Sequence, residues 1–366
     1  MSDLNIPVWN TRIEDKTIDF IINAFNDRSL STGKYTSLLE KKLSEIHQSN
    51  YVVCVNSGTS ALKCLAIALG LRPGDEVIIP RRSWVATLNG MHELGLKIKF
   101  VDIDNKRSLI CPRSLSRLLN SKTKAVIAVN LNGRNSLNEE LLNLIRNYSI
   151  PLIQDNAQAL LSSVPNRING LETYQIISFA MNKLLTTGQG GCVITTNEKI
   201  AKKVLDIRTQ GLGNIQRPLN WEYGSNYRIS DLLSSIGLSQ LEGIQQKKEK
   251  LIKTYKKYKE SLENYSFCEE IFVNFTKNEF PLYSEYLFES RDELVNYLDN
   301  LGIETRPFYK DLDTAIYINK NYKSKFGKSI FSKKGLTLPG GDNLSEEDQN
   351  KIIESILYFY KSKRVK

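Results

Sequence analysis

Seven short, β-branched apolar runs between residues 51 and 196 constrain this chain more than any other feature: YVVCV, EVIIP, IKFVDI, AVIAVN, PLIQDN, QIISFA and GCVITT. Each has the length and composition of a buried strand. Between several of them lie segments with helical periodicity, at 59–69, 84–94, 113–119 and 139–146. That alternation predicts an α/β domain with a seven-stranded, mostly parallel sheet and crossover helices. Only MNKLLTTGQG separates the last two runs. This is shorter than the dozen or so residues a parallel crossover needs, so an antiparallel pair with an unusual loop is expected there.

From Leu241 the texture changes to a long helical stretch. Leu241, Ile244, Leu251, Tyr255, Tyr258 and Leu262 form one stripe, and a lysine run (Lys247, Lys248, Lys250, Lys253, Lys256, Lys257 and Lys259) lies opposite. The run alternates with the stripe and includes Glu249 and Glu260, so it reads as a solvated helix face rather than a nucleic-acid surface. The expected division is a large α/β domain over 1–245 and a smaller C-terminal α+β domain over 246–366.

Composition narrows the chemistry. Of 366 residues, 41% are hydrophobic and 25% charged, as in a globular protein, and no signal or membrane-spanning segment is visible, so a cytoplasmic location is expected. A formal charge of +10 favours anionic ligands such as phosphorylated metabolites. Five widely spaced cysteines form no C-x-x-C pair and read as reduced thiols. With two histidines in the chain, His47 and His92, mechanisms built on several imidazoles or on a histidine-rich metal centre are disfavoured, and no metal site is expected. Lys, Asp, Ser or a cofactor must then do any chemistry.

Three features point to one cofactor. NSGTSAL (56–62) places Gly58 and Thr59 where a strand turns into a helix, presenting free N–H groups to an anion. Taken alone, it reads more readily as an ordinary strand-to-helix turn capped by Ser57 or Thr59. The fifth apolar run ends in Asp155, at the strand end that faces the ligand crevice of an open α/β sheet. The sixth leads from Ser178 to Lys183, ahead of a glycine-rich return. A phosphate turn, a strand-end Asp and a Ser five residues before a loop Lys are the parts pyridoxal phosphate needs.

The sequence resembles the DegT/DnrJ/EryC1/StrS family of sugar aminotransferases, which share the fold-type-I architecture of pyridoxal-phosphate enzymes. The resemblance runs from TGKYTSLLEKKL through NSGTSALKCLAIALGLRPGDEVIIP, SWVATLNGM, LIQDNAQAL, SFAMNKLLTTGQGGCVITTN and YGSNYRISDLLSSIGLSQLE to GIETRPFY and LTLPGGDNLSEED. It implies that Lys183 forms the internal aldimine of pyridoxal 5'-phosphate, with pyridoxamine phosphate as the other cofactor form, and that Asp155 partners the pyridine nitrogen. It further implies that Trp84 stacks on the ring, Gln158 contacts the ring hydroxyl, and Gly58, Thr59 and Ser178 hold the phosphate. Asn226 of GSNYRIS would reach the cofactor of a neighbouring subunit, which makes a homodimer with shared active sites the expected assembly. Arg228 and Arg306 are candidates for the diphosphate of a nucleotide sugar or for the carboxylate of the donor, or else structural ion pairs.

The implied reaction moves an amino group from L-glutamate to a nucleotide-linked keto sugar, in the service of amino-sugar or surface-polysaccharide biosynthesis. FAMNKLLTTGQGG, GSNYR and GIETRP are most similar to the GDP-perosamine synthases, which act on a 4-keto-6-deoxy sugar. Three departures bear on the substrate. Asn130-Leu131-Asn132-Gly133 stands where the family has Val-His-aromatic-Gly lacking its His and aromatic, Gln189 replaces an acid, and 163–174 lacks the usual glycine-rich loop. Rival readings are a sugar dehydratase of the same fold, in which the lysine is replaced by His, a non-catalytic regulatory protein that binds the cofactor, and a nicotinamide-dependent dehydrogenase. Lys183 argues against the first, and the last lacks Gly-x-Gly-x-x-Gly after its first strand.

Overall fold

The computed structural model describes residues 6–162, 167–212, 222–318 and 326–364. All seven apolar runs form strands, and an eighth joins them: β1 (Tyr51–Val55), β2 (Glu76–Pro80), β3 (Lys97–Val101), β4 (Thr123–Val129), β5 (Leu152–Asp155), β6 (Arg167–Ile168), β7 (Leu171–Ser178) and β8 (Gly191–Thr195). The order is β1-β8-β7-β5-β4-β2-β3, with β6 paired to β7 outside that path. Neighbours β3, β2, β4, β5 and β7 run parallel, whereas β8 is antiparallel to both β7 and β1. The sheet therefore has eight strands rather than seven. The extra one is a two-residue return on which Arg167 faces Glu172, with no apolar run to announce it. Residues 163–166, part of the segment noted above as lacking a glycine-rich loop, lie outside the described residues.

The helices of this unit are α1 (Thr17–Asn26), α2 (Lys34–His47), α3 (Gly58–Ala68), α4 (Val85–Glu93), α5 (Pro112–Leu118), α6 (Glu139–Tyr148), α7 (Glu198–Arg208), α8 (Asp231–Glu242) and α9 (Ile244–Leu262). Both sheet faces are covered, which is why the strands read as unbroken apolar runs. Val55, Val77, Ile79, Ile127 and Ile153 pack with α3 and α7. The alternate residues Ile78, Val126, Ala128 and Leu152 pack with α5 and α6 on the other side. At the β1–β8 edge, Val52, Cys54, Cys192 and Ile194 pack with Leu39 and Leu43 of α2 and Leu251 of α9.

Gly33 precedes α2 and has no side chain with which to cap it. Asp231, from the start of α8, does so across the fold, accepting the N–H groups of Gly33, Tyr35 and Thr36 at 2.9, 3.0 and 2.9 Å. An anion held at a helix N-terminus is favourable; burial works against the charge, but the hydroxyls of Ser29 and Thr36 with the N–H groups of Thr36 and Tyr35 hold the Asp231 carboxyl below its usual range.

The second sheet is antiparallel, β9 (Cys268–Glu270), β10 (Ser284–Phe288), β11 (Arg306–Pro307) and β12 (Gly335–Leu338) in the order β11-β12-β10-β9, with α10 (Arg291–Asn300), α11 (Ile330–Lys334) and α12 (Glu346–Arg364) against it. The chain start joins this unit, since Ile6 bridges to Ile303 and Trp9 to Gly340. On α9 the apolar stripe is buried from Ile244 to Leu262, and Leu241 falls in α8 instead. One member of the lysine run is not solvated: Lys247 is buried, donates to the Arg12 carbonyl at 3.1 Å and lies 3.6 Å from Asp342.

The loop after β4 is the seam between the two units. Asn132 sits in the left-handed region (φ 54°); its Nδ2 donates to the Tyr283 carbonyl at 2.9 Å and its Oδ1 accepts the Tyr283 N–H at 2.7 Å. Arg134, fully buried, pairs with Glu285 at 2.9 Å. Between them Gly133 has φ +73°, and a Cβ there would lie 1.9 Å from the Phe280 carbonyl oxygen. Gly133→Ala is therefore expected to cost on the order of 2–4 kcal/mol in urea unfolding; a loss below about 0.5 kcal/mol would mean that the seam shifts freely.

Candidate active site

Parallel pairing aligns the carboxyl ends of β2, β4, β5 and β7 along one sheet edge, where ligands bind in open α/β sheets. A cavity of ≈ 340 Å³ lies there, bordered by Gly58, Thr59, Trp84, Asp155, Gln158, Ser178, Lys183 and Arg306. Eight of the ten residues singled out in the sequence thus share one space. The other two, Asn226 and Arg228, are not part of its lining. They occupy the segment before α8, where Asn226 is exposed and its Oδ1 accepts the Arg228 Nε–H at 3.1 Å. The Tyr227 carbonyl accepts the Asn56 N–H at 2.8 Å, which ties that segment to the end of β1.

At one end of the cavity is an anion cradle. Ser57 caps α3 by accepting the Ser60 N–H at 3.0 Å, and the first-turn N–H groups of Gly58 and Thr59 have no partner within the helix. A Cβ at Gly58 would lie 2.9 Å from the Ser178 Cβ, so glycine is what lets the helix start press against the end of β7. The Ser178 hydroxyl meets only a long contact, from the Ala180 N–H at 3.4 Å. Backbone donors, a helix dipole and a hydroxyl together suit a phosphate monoester.

Asp155, buried at the end of β5, accepts from the Thr87 hydroxyl at 2.7 Å and from the Ala157 N–H at 3.2 Å. Burial pushes its pKa up, against the pull of those two bonds and of Lys183. Lys183 borders the cavity and keeps some accessible surface, yet the protein packed around its amine pushes the pKa down to about 8; Asp155 opposes that shift and Arg306 adds to it. Trp84, half-exposed, meets Tyr309 edge-on with ring centres 4.7 Å apart. Gln158 accepts the Asn132 N–H at 2.8 Å, so one residue that departs from the family pattern orients another in the site.

Sequence reasoning missed Thr87, Tyr283 and Tyr309. Thr87 lies three residues after Trp84 in the same helical turn, a spacing that could have flagged it. Tyr283 and Tyr309 come from the second unit and carry no local signal. The Arg306 guanidinium lies 4.7 Å from the Tyr283 ring centre, and the Tyr283 hydroxyl donates to the Asn182 carbonyl at 3.0 Å, beside Lys183. Asn130 stands at the family's Val position, with Leu131 and Asn132 at those of the His and the aromatic. The Asn130 Oδ1 accepts from the backbone and hydroxyl of Ser136 at 2.8 and 2.6 Å, and its amide donates to Asn156, which donates in turn to Gln175 at 2.8 Å. The third departure, Gln189, borders the cavity.

A phosphate cradle, a buried carboxylate and a depressed-pKa lysine around one cavity define a fold-type-I enzyme built for a phosphorylated pyridine aldehyde. The chain belongs to the DegT/DnrJ/EryC1/StrS aminotransferase family, whose profile matches residues 11–357, and is a pyridoxal-phosphate-dependent aminotransferase. It is 29% identical to a GDP-perosamine synthase of Escherichia coli O157:H7 over 98% of this chain and 99% of that one. Its fold is similar to that of Helicobacter pylori PseC, an aminotransferase involved in the biosynthesis of pseudoaminic acid, with a TM-score of 0.89 at 23% identity over 98% and 99% of the two chains. It is similar also to an E. coli GDP-4-keto-6-deoxy-D-mannose-3-dehydratase with bound hydrated PLP, with a TM-score of 0.84 at 22% identity over 96% and 99%.

In cofactor-free protein, competitive acetylation read by mass spectrometry is expected to give Lys183 a midpoint near 8, against the usual 10.5. Only the neutral amine reacts, so labelling rises as pH passes through that value. Asp155→Asn removes the neighbour that supports the charged form and moves the midpoint lower still. A midpoint at the ordinary value would mean a solvated amine.

Proposed function

We propose that this aminotransferase moves the amino group of L-glutamate to a nucleotide-linked 4-keto-6-deoxyhexose, as a GDP-perosamine synthase does, supplying an amino sugar for surface polysaccharide. The observation that carries this reading is the shared cavity of Lys183, Asp155 and the Gly58–Ser178 cradle in a chain that matches such a synthase along its whole length. Pyridoxal phosphate, when bound, supplies an aldehyde carbon and an electron-accepting ring on which the amino group is stored between the two halves of the reaction.

The protein's part is binding and proton movement. Gly58, Thr59 and Ser178 hold the phosphate, and Trp84 and Gln158 orient the ring. Asp155 keeps a proton on the ring nitrogen, which a buried carboxylate does better than water because the low dielectric strengthens the pair. The Lys183 amine, neutral to a useful degree near pH 8, takes the proton from the α-carbon of the donor and later delivers one to the sugar carbon. Tyr283 and Tyr309 close the cavity from the second unit and help to exclude water.

A homodimer with shared sites is part of this reading. Ile18, Ile22 and Phe25 follow helical spacing on α1 and are 59%, 49% and 65% exposed, an apolar face suited to a second copy of the chain. Asn226, exposed in the segment before α8 and outside the cavity of its own chain, then serves the partner's phosphate. A cytoplasmic setting agrees with cysteines that remain thiols.

The direct test is to follow the visible spectrum of the loaded protein as L-glutamate and then single nucleotide-linked 4-keto sugars are added, with products read by mass spectrometry. The expected outcome is loss of the yellow band with glutamate, its return with one sugar only, and a product carrying one new nitrogen. A product with no new nitrogen that has lost a sugar hydroxyl would instead indicate the dehydratase. Lys183→Ala is expected to abolish turnover. Mixing inactive Lys183→Ala and Asn226→Ala proteins should restore activity, because one site of each mixed dimer is then intact; no recovery would sink the shared-site dimer.

A further inference from the structure

The cavity has an inner annex. Ser83, Trp84, Gln158, Tyr283, Arg306 and Tyr309 line both the main cavity and a narrow chamber of ≈ 20 Å³ whose remaining wall includes Arg82, Glu285, Phe308 and Thr337. That space takes a group of one or two oxygen-sized atoms, not a sugar ring or a diphosphate.

Arg82 is the anomaly in this chamber. It is 6% exposed, its guanidinium lies 4.2 Å from the Phe308 ring centre, and its Nε has no hydrogen-bond partner among the described residues. Its neighbours each hold a carboxylate, although the Nε and Nη1 of Arg134 are also without a hydrogen-bond partner among those residues. Arg81 meets Asp311 and Asp313 at 3.2 and 3.3 Å, and Arg134 takes Glu285 at 2.9 Å. Asp311 is further occupied by the backbone and hydroxyl of Ser329. Burial draws the Arg82 pKa down to about 10, with Glu285 opposing and Arg134 adding to the shift, so the group is still cationic at neutral pH. A buried charge without a hydrogen-bonded counter-charge is costly, and a guanidinium is the side chain best shaped to receive a carboxylate on two N–H groups.

We propose that Arg82 is a carboxylate receptor in the inner chamber, where it anchors a carboxylate of the substrate pair. Arg306 borders both spaces, so a dicarboxylate can span the two guanidinium groups. This suits the second carboxylate of a dicarboxylic amino donor, and that assignment rests on the aminotransferase reading above. A carboxylate carried on the sugar itself, as in a uronate, has the same chemistry.

The test is calorimetric titration of cofactor-loaded wild-type, Arg82→Gln and Arg82→Lys proteins with glutarate, butyrate and glucuronate. The expected result is that Arg82→Gln weakens glutarate about tenfold or more and lowers its advantage over butyrate, with partial recovery in Arg82→Lys. Loss of glucuronate binding instead identifies the sugar as the source. Unchanged affinity for both glutarate and glucuronate in a folded Arg82→Gln protein overturns the proposal. If Arg82→Gln does not fold, Arg82→Lys decides the matter through glutamate kinetics: a raised KM with kcat retained supports the receptor, and unchanged KM overturns it. Conversion of glutamate to 2-oxoglutarate by the wild type is scored separately, so failure of the aminotransferase reading is distinguished from failure of carboxylate binding.

Discussion

A carboxylate and an amine of opposite charge, Asp155 and Lys183, face one water-poor cavity, and the rest of the site depends on the balance between them. Burial alone would neutralise both, raising the acid and lowering the base. Each offsets part of the shift of the other, and the hydroxyl of Thr87 and the N–H of Ala157 hold the acid further toward its ionised form. The outcome is an acid able to stabilise a positive ring nitrogen beside a base that is partly neutral near physiological pH. A surface pair of the same residues would do neither, because water would screen each group from the other.

That balance requires two sheet features to coincide. β5 must end at the same edge as β7, which parallel pairing enforces from Leu152↔Thr173 to Asp155↔Ile176. The chain must then return at once through Lys183 into β8, and this is possible because β8 is antiparallel to its neighbours. The seam after β4 supplies the other wall. Asn132 binds Gln158 through its backbone and the Tyr283 backbone through its side chain, so two cavity-lining residues are mechanically linked through one buried residue.

Much of this was legible from the residues. The seven strands, the antiparallel return and the crossover helices follow from apolar periodicity and loop length, which are local properties. Of the eight cavity residues, Gly58, Thr59, Asp155, Ser178 and Lys183 were legible from their own short motifs, whereas Trp84, Gln158 and Arg306 came through the family resemblance. The lysine run was misread at Lys247, because a helix face that points to solvent for most of its length meets Gln240 and Asp342 at its first turn. The substitutions at Asn130 and Asn132 were visible as departures, but their role in an amide ladder and a seam was not, since their partners lie up to 151 residues away.

Sequence by itself determined the class of fold and, through the resemblance of its motifs to a known family, the cofactor, because short-range periodicity and motif chemistry carry that information. Only the tertiary structure decided which cation is left over. Arg81, Arg82, Arg134 and Arg306 are alike as letters, and what separates them is the distance of each guanidinium to a carboxylate once two units have closed on each other. Arg81 and Arg134 find acids within 3.3 Å, whereas among the described residues no carboxylate forms an ion pair with Arg82. Pairing of buried charges is a property of three-dimensional proximity, and no spacing along the chain encodes it.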